Sequence, residues 1–218
     1  MDLTAGRIAE EKGLLNAYSD VTTLKTRLEI PTTTTEEDKE LRELLEGASR
    51  LIDKFTSRFY FVDTTTRTFD GSSAPFFLKD DLLSITTLKV DEDGDLTFEG
   101  TMAATDFILY PLNWFPKTYI RLTTSSTFGG FASGIREGVQ IVGSFGYGDG
   151  KSASPTIDSG DDNDAAITTT TETTFDVASG SNFGAGQTIL MDSEQMYISS
   201  ISTNTLTVIR GVNGTTAA

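Results

Sequence analysis

The densest group of potential metal ligands in the chain is Asp91-Glu92-Asp93-Gly94-Asp95, four carboxylates around one glycine. Hard cations such as calcium want several oxygens gathered around a tight glycine turn. The twelve-residue spacing of a complete calcium loop is not kept, because Leu96-Thr97-Phe98 follows Asp95 and reads as a strand. The segment is expected to form a hairpin turn with solvated acids, and no metal ligand is assigned to it. A second acidic run, Asp161-Asp162-Asn163-Asp164, lies among Gly and Ser and has the composition of a linker. Gly143-Ser144-Phe145-Gly146 places glycines on a strand, but no Lys follows and no helix opens there, so it is not a phosphate loop. Asn213-Gly214-Thr215 has the order of a glycosylation sequon and suits a type I′ turn.

The remaining chemistry is bounded by what is missing. The 218 residues contain no cysteine, which removes disulfides, thiolate metal sites and thiol nucleophiles. They contain no histidine, which removes the commonest general base, the commonest metal ligand and every Ser-His-Asp arrangement. Thirty-two Asp and Glu leave a carboxylate-pair enzyme arithmetically possible. No two acids are grouped beside an aromatic-lined cleft, however, and Trp114-Phe115-Pro116 is expected to be a packed corner rather than a sugar platform. A formal charge of −15 repels phosphate backbones and anionic lipid. About half of that excess lies beyond residue 152, where Arg210 is the one base. No apolar run approaches the length of a membrane span, and the opening residues lack the basic-then-apolar order of a signal peptide.

The elements that would position these groups follow from hydrophobic period. Val21 to Glu29 reads as a short helix stopped before Pro31, with Lys25 and Arg27 on its polar side. Thr34-Thr35-Glu36-Glu37-Asp38 supplies a hydroxyl cap and first-turn acids for a second helix, expected over 36–57. Leu41, Leu44, Leu45, Ala48, Leu51, Ile52 and Phe55 form its apolar stripe, which must be buried against something. Beyond Arg58 the period changes to short aromatic or β-branched runs at 59–61, 67–69, 76–78, 83–90, 105–110, 119–122 and 139–145, parted by Asp70-Gly71 and Asp93-Gly94. Phe128-Gly-Gly-Phe131 reads as a flexible loop. Residues 149–166 are Gly-, Ser- and Asp-rich, and four further strands are expected at 174–178, 187–192, 195–201 and 206–210.

The fold class is therefore α+β. N-terminal amphipathic helices (about 21–57) pack with an antiparallel sheet (about 60–148) in a domain spanning 1–150. An acidic linker at 151–166 and a small all-β module at 167–218 follow.

Leu24-Lys-Thr-Arg-Leu28, Asp38 to Phe55 with Ala48-Ser49-Arg50-Leu51-Ile52-Asp53, Phe59, Arg67, Phe69-Asp70-Gly71, Phe77-Leu78, Leu83-Ser84-Ile85-Thr86, Val90-Asp91 and the strand from Gly138 to Gly146-Tyr147-Gly148-Asp149 form one pattern. Over residues 21–149 this pattern resembles the head–tail connector (adaptor) proteins of tailed bacteriophages. Asp192 to Thr216 resembles small β modules inserted in phage structural proteins. The resemblance implies a structural virion protein with no enzymatic activity and no cofactor. Copies would form a homo-oligomeric ring, dodecameric in the family, located in the virion neck. The ring would dock on the portal protein above and on a neck or tail-completion protein below, away from any membrane. DNA would pass through its channel without specific binding. Family members continue with helices after the glycine-rich strand end, so a longer natural chain is expected, which the intact mass of virion-derived protein would test.

Two readings stand for the basic residues of the helical third: solvated faces with i,i+4 partners, or basic faces that meet acidic faces of a ring neighbour. On the second reading the candidate contacts are Arg50, Lys54, Arg58, Arg67, Phe128, Phe131 and Arg136. Two other classes remain open: a carbohydrate- or protein-binding module, for which Tyr197 and Phe183 are the candidate platform, and a carboxylate-based enzyme.

Overall fold

The computed structural model describes residues 16–73, 75–156 and 158–217. Among the described residues, two helices and two antiparallel sheets give the α+β class read from the sequence. Contacts divide the chain into two compact units. One is Arg58–Pro155, and the other is built from the chain up to Ser57 together with the chain from Thr156 onward.

The Arg58–Pro155 unit is a six-stranded sheet: β1 (Asp63–Phe69), β2 (Phe76–Val90), β3 (Gly100–Met102), β4 (Phe107–Tyr110), β5 (Lys117–Leu122) and β6 (Val139–Phe145). Their spatial order is β1-β6-β2-β5-β4, with β3 paired to the far end of β2. Strand β6 alternates buried and half-buried positions without a break, as period-2 patterning requires when one face is covered. Its inward residues Val139, Ile141 and Phe145 join Phe76, Leu82, Leu88, Ile120 and Phe131 in the core. Strand β2 spans the two segments expected at 76–78 and 83–90 as one element, and it bends where its register shifts at Leu82/Ser84 and Ile85/Thr87. Gly143 sits opposite Ile85 in that irregular stretch. A Cβ there would lie 2.1 Å from the Ser84 carbonyl oxygen, so the close approach of the two backbones requires glycine.

The second unit holds helix α1 (Val21–Arg27), helix α2 (Asp38–Thr56) and strands β7 (Thr174–Asp176), β8 (Thr188–Met191), β9 (Glu194–Ser202) and β10 (Thr205–Ile209). The strands run β7-β10-β9-β8. Their core is Phe175, Val177, Met196, Ile198, Leu206 and Val208. Asn213 and Gly214 both take positive φ, 53° and 78°, as the expected type I′ turn demands.

Four expectations are corrected. The helices were grouped with the 60–148 sheet, but they share a unit with the C-terminal strands, because their inward faces carry polar groups whose partners lie there. Arg42 Nη1 donates to the Ser199 carbonyl at 3.1 Å, and ahead of the first helix Asn16 donates to the Asn213 side chain at 3.0 Å. Helix α2 begins without the hydroxyl cap: Glu37 is the N-cap residue and makes no side-chain capping bond. Lys25, placed on a solvated face by its period, is buried, because its ammonium bonds the Thr34 carbonyl and pairs with Asp38. The acidic linker is tied down where it meets the C-terminal sheet. Asp161 accepts from the Ala178 and Ser179 amides at 3.0 and 2.8 Å and from the Asn182 side chain at 3.2 Å.

Candidate functional site

The acidic turn after β2 is a network of side-chain-to-backbone bonds. Asp91 is buried, and its Oδ1 accepts from the Asp93 and Gly94 amides at 3.1 and 2.6 Å while Oδ2 accepts from Leu96 at 2.9 Å. Asp93 and Asp95 repeat the pattern on the amides of Asp95 and Thr97. Burial pushes the Asp91 carboxyl up, and the amides of Gly94, Leu96, Asp93 and Asp95 more than offset this, so its pKa falls below the usual 3.8. Glu99, which sequence reasoning left out, brings a fourth carboxylate to the cluster. One oxygen from each of Asp91, Asp93, Asp95 and Glu99 lies within 4.8 Å of the others, so these are the residues that could hold a hard cation. The hairpin turn expected from the sequence accounts for both Asp91 oxygens.

An open cleft of about 530 Å³ lies beside this turn, lined by Val90, Asp91, Glu92 and the loop Thr127 to Ser133. Carboxylate catalysis needs two acids facing a common space, one of them free to exchange a proton. Asp91 is fully engaged by backbone amides, which leaves Glu92 as the unengaged acid of this cleft.

The sequence-predicted contact residues separate into two groups. Arg50 is held by Glu46 and Asp53, both at 3.3 Å, and donates to the Asn16 carbonyl at 2.8 Å. Arg58 pairs with Asp81 at 3.2 Å and lies over the Tyr147 ring. Arg67 bridges Asp63 at 3.0 Å and Asp80 at 2.6 Å, with its guanidinium 4.4 Å from the Phe145 ring centroid. Phe128 is half-buried, packed against the core of the larger sheet. Phe131, expected in a flexible loop, is fully buried, its ring packed against Phe76 in the core of the larger sheet. Lys54, Arg58 and Arg136 are the three that remain exposed. In the C-terminal sheet, Tyr197 is buried and Phe183 is half-buried, so neither forms an open platform.

Helix α2 is turned the opposite way from its sequence pattern. Its inward positions include Leu41, Glu46 and Ser49. The Ser49 hydroxyl accepts from the Tyr18 amide at 2.9 Å, and the Tyr18 hydroxyl bonds Asp53. Burial raises the Glu46 pKa above 4.5, and Arg50 opposes that shift. Leu41 is buried, but most of the apolar stripe points outward: Leu44 is 68% exposed, Leu51 67%, Ile52 45% and Phe55 90%. Four large side chains in one helical row form an apolar patch of the kind that marks an interaction surface.

A second exposed apolar surface lies on the β4–β5 hairpin, where a packed corner was expected. Trp114 is 71% exposed and Leu112 59%. Their loop is held from within by Lys117, which is buried and donates to the carbonyls of Pro111, Leu112 and Trp114 at 2.7, 3.0 and 2.9 Å. With these carbonyls turned inward onto the ammonium, the Trp114 indole stands outside the loop. Burial moves the Lys117 pKa below 10.5. Along the strands, Ile108 pairs with Arg121, and the Tyr110 and Tyr119 rings stack at 4.9 Å.

No described helix is long and apolar enough to cross a membrane. Comparison with protein-family models, with curated proteins and with solved structures finds no match to this chain.

Proposed function

We propose that this chain is a structural subunit of a homo-oligomeric ring, of the head–tail connector (adaptor) type, in the neck of a tailed bacteriophage. The observation that carries the reading is the outward apolar face of α2. Leu44, Leu51, Ile52 and Phe55 are exposed while Glu46 and Ser49 are buried on the other side. A helix oriented in this way leaves its hydrophobic stabilisation unrealised until another surface covers the row. A subunit whose partner is another copy of itself meets that need by assembling.

The remaining features agree with a geometric role. Charge of −15 and the absence of histidine suit a channel wall past which DNA slides without sticking. The ring would stand between the portal protein and the next neck or tail protein, with exposed Lys54 and Arg136 as candidate docking charges.

Native mass spectrometry and electron microscopy of the full chain, alone and with portal protein, test the proposal. Closed rings are expected. The paired substitution Leu51→Asp and Phe55→Asp should leave a folded monomer, because both positions are exposed. A monomer under all conditions, in the presence of portal protein too, would overturn the reading.

A further inference from the structure

Resting on the ring reading, we propose that the outward face of α2 on one copy docks on the β4–β5 hairpin of the next, a head-to-tail contact between two different patches. Both patches are apolar surfaces on a strongly charged chain. From Glu40 to Phe55 the helix row runs about 22 Å at 1.5 Å per residue. On the hairpin, Ile108 lies on strand β4, and the loop at 111–116 presents Leu112 and Trp114.

They match in charge. Glu40 heads the helix row, one turn before Leu44, and is exposed. Between Glu40 and Phe55 the outward row consists of Leu44, Gly47, Ala48, Leu51 and Ile52 and carries no charge. On the hairpin, exposed Arg121 lies beside Ile108 at the end opposite Trp114. Neither Glu40 nor Arg121 forms an ion pair among the described residues. Setting Glu40 against Arg121 brings Leu44 and Leu51 over Ile108 and the tyrosine stack, and Phe55 onto Leu112 and Trp114.

A helix face pairing with its own copy does less. A parallel pair sets Glu40 against Glu40. An antiparallel pair closes a two-fold dimer and leaves Trp114 uncovered. A contact between unlike patches covers both, and a contact of that type generates a ring when its rotation closes. The rigid hairpin favours it further, since Lys117 has already fixed the loop that presents Trp114 and little ordering is left to do on contact.

Because the 218 residues contain no cysteine, single-cysteine variants report the contact directly. Phe55→Cys and Trp114→Cys, both at exposed positions, are mixed as full chains under mild oxidation while native mass spectrometry follows assembly. The expected result is a mixed disulfide as the main product. Glu40→Arg should weaken assembly about threefold to fivefold, as exposed ion pairs do, and adding Arg121→Glu should restore it. Homodisulfides of Phe55→Cys as the main product would overturn the head-to-tail contact in favour of helix self-pairing. Rings that assemble without the mixed disulfide would overturn this contact and leave the ring reading in place. Wild-type chain that stays monomeric at every concentration and with portal protein would overturn the ring reading, and this contact with it.

Discussion

Arg210 and Glu194 meet through two parallel bonds inside the C-terminal sheet: Nε donates to Oε1 and Nη2 to Oε2, both at 2.7 Å. Their side chains are 6% and 2% exposed. Arg210 Nη1 also donates to the carbonyls of Thr169 and Glu172, and the Gly211 amide donates to Glu194. The pair thus joins β9, the end of β10 and the loop before β7. Replacing one member strands the other charge in a buried site, which costs about 3–5 kcal/mol. Glu194→Gln should lower the urea midpoint accordingly, whereas Glu194→Leu combined with Arg210→Met should recover most of the loss. A single variant that unfolds with the wild-type midpoint would show that the pair contributes nothing.

The acidic turn predicts a pH dependence. The folded pKa of Asp91 lies below its ordinary value of 3.8. A carboxyl depressed by folding stabilises the protein above its unfolded pKa, and that contribution is lost as pH falls through the folded value. At pH 7 Asp91→Asn should be less stable than wild type, and the gap should shrink on titration below about pH 4. Thermal unfolding of both proteins across that range measures it, and a gap that stays constant would assign the stability to shape alone.

Gly143→Ala places a methyl group 2.1 Å from a backbone oxygen of the neighbouring strand. Backbone cannot move aside as a flexible side chain can, so the variant should lose about 3 kcal/mol, with β2 and β6 pushed apart. Hydrogen exchange of the β2 and β6 amides, compared between the two proteins, localises the loss. Exchange that is unchanged in both strands would refute the collision.

Lys117→Met keeps the length of the side chain and removes the three donors that hold residues 111–116. The chain has one tryptophan, so fluorescence anisotropy reports that loop alone. Anisotropy should fall, with far-UV circular dichroism unchanged. A rigid indole in the variant would mean that packing of the Lys117 stem and Phe115, with the ammonium 4.1 Å from the ring centroid, is enough to hold the loop.

Much of the fold is legible in residue order. The helix expected over 36–57 meets α2 within two residues at each end, and the alternation of Val139, Ile141 and Phe145 marks β6 with its final bounds. Local period fixes the type of an element because each element must bury one face. The direction in which α2 points its stripe is not a local property. It depends on Tyr18 and Ser199, which supply partners for the polar side from outside the helix. The same holds for Lys25 and Asp161, whose polar character reads as solvent exposure until their partners are known. Trp114 was misplaced for another reason: an indole ordinarily buries much of its surface, and nothing in its neighbours announces that Lys117 fills the inside of the turn.

One unit of this protein is assembled from both ends of its chain, with Arg58–Pro155 inserted between them. The bond from Arg42 to Ser199 spans 157 residues of sequence. During translation α2 therefore leaves the ribosome long before the strands that receive its polar side, while the inserted sheet is continuous and can complete itself in the interval. In that interval the nascent helix has neither face covered. Closing the gap early, by folding the insert, shortens the loop that the last strands must span to reach it.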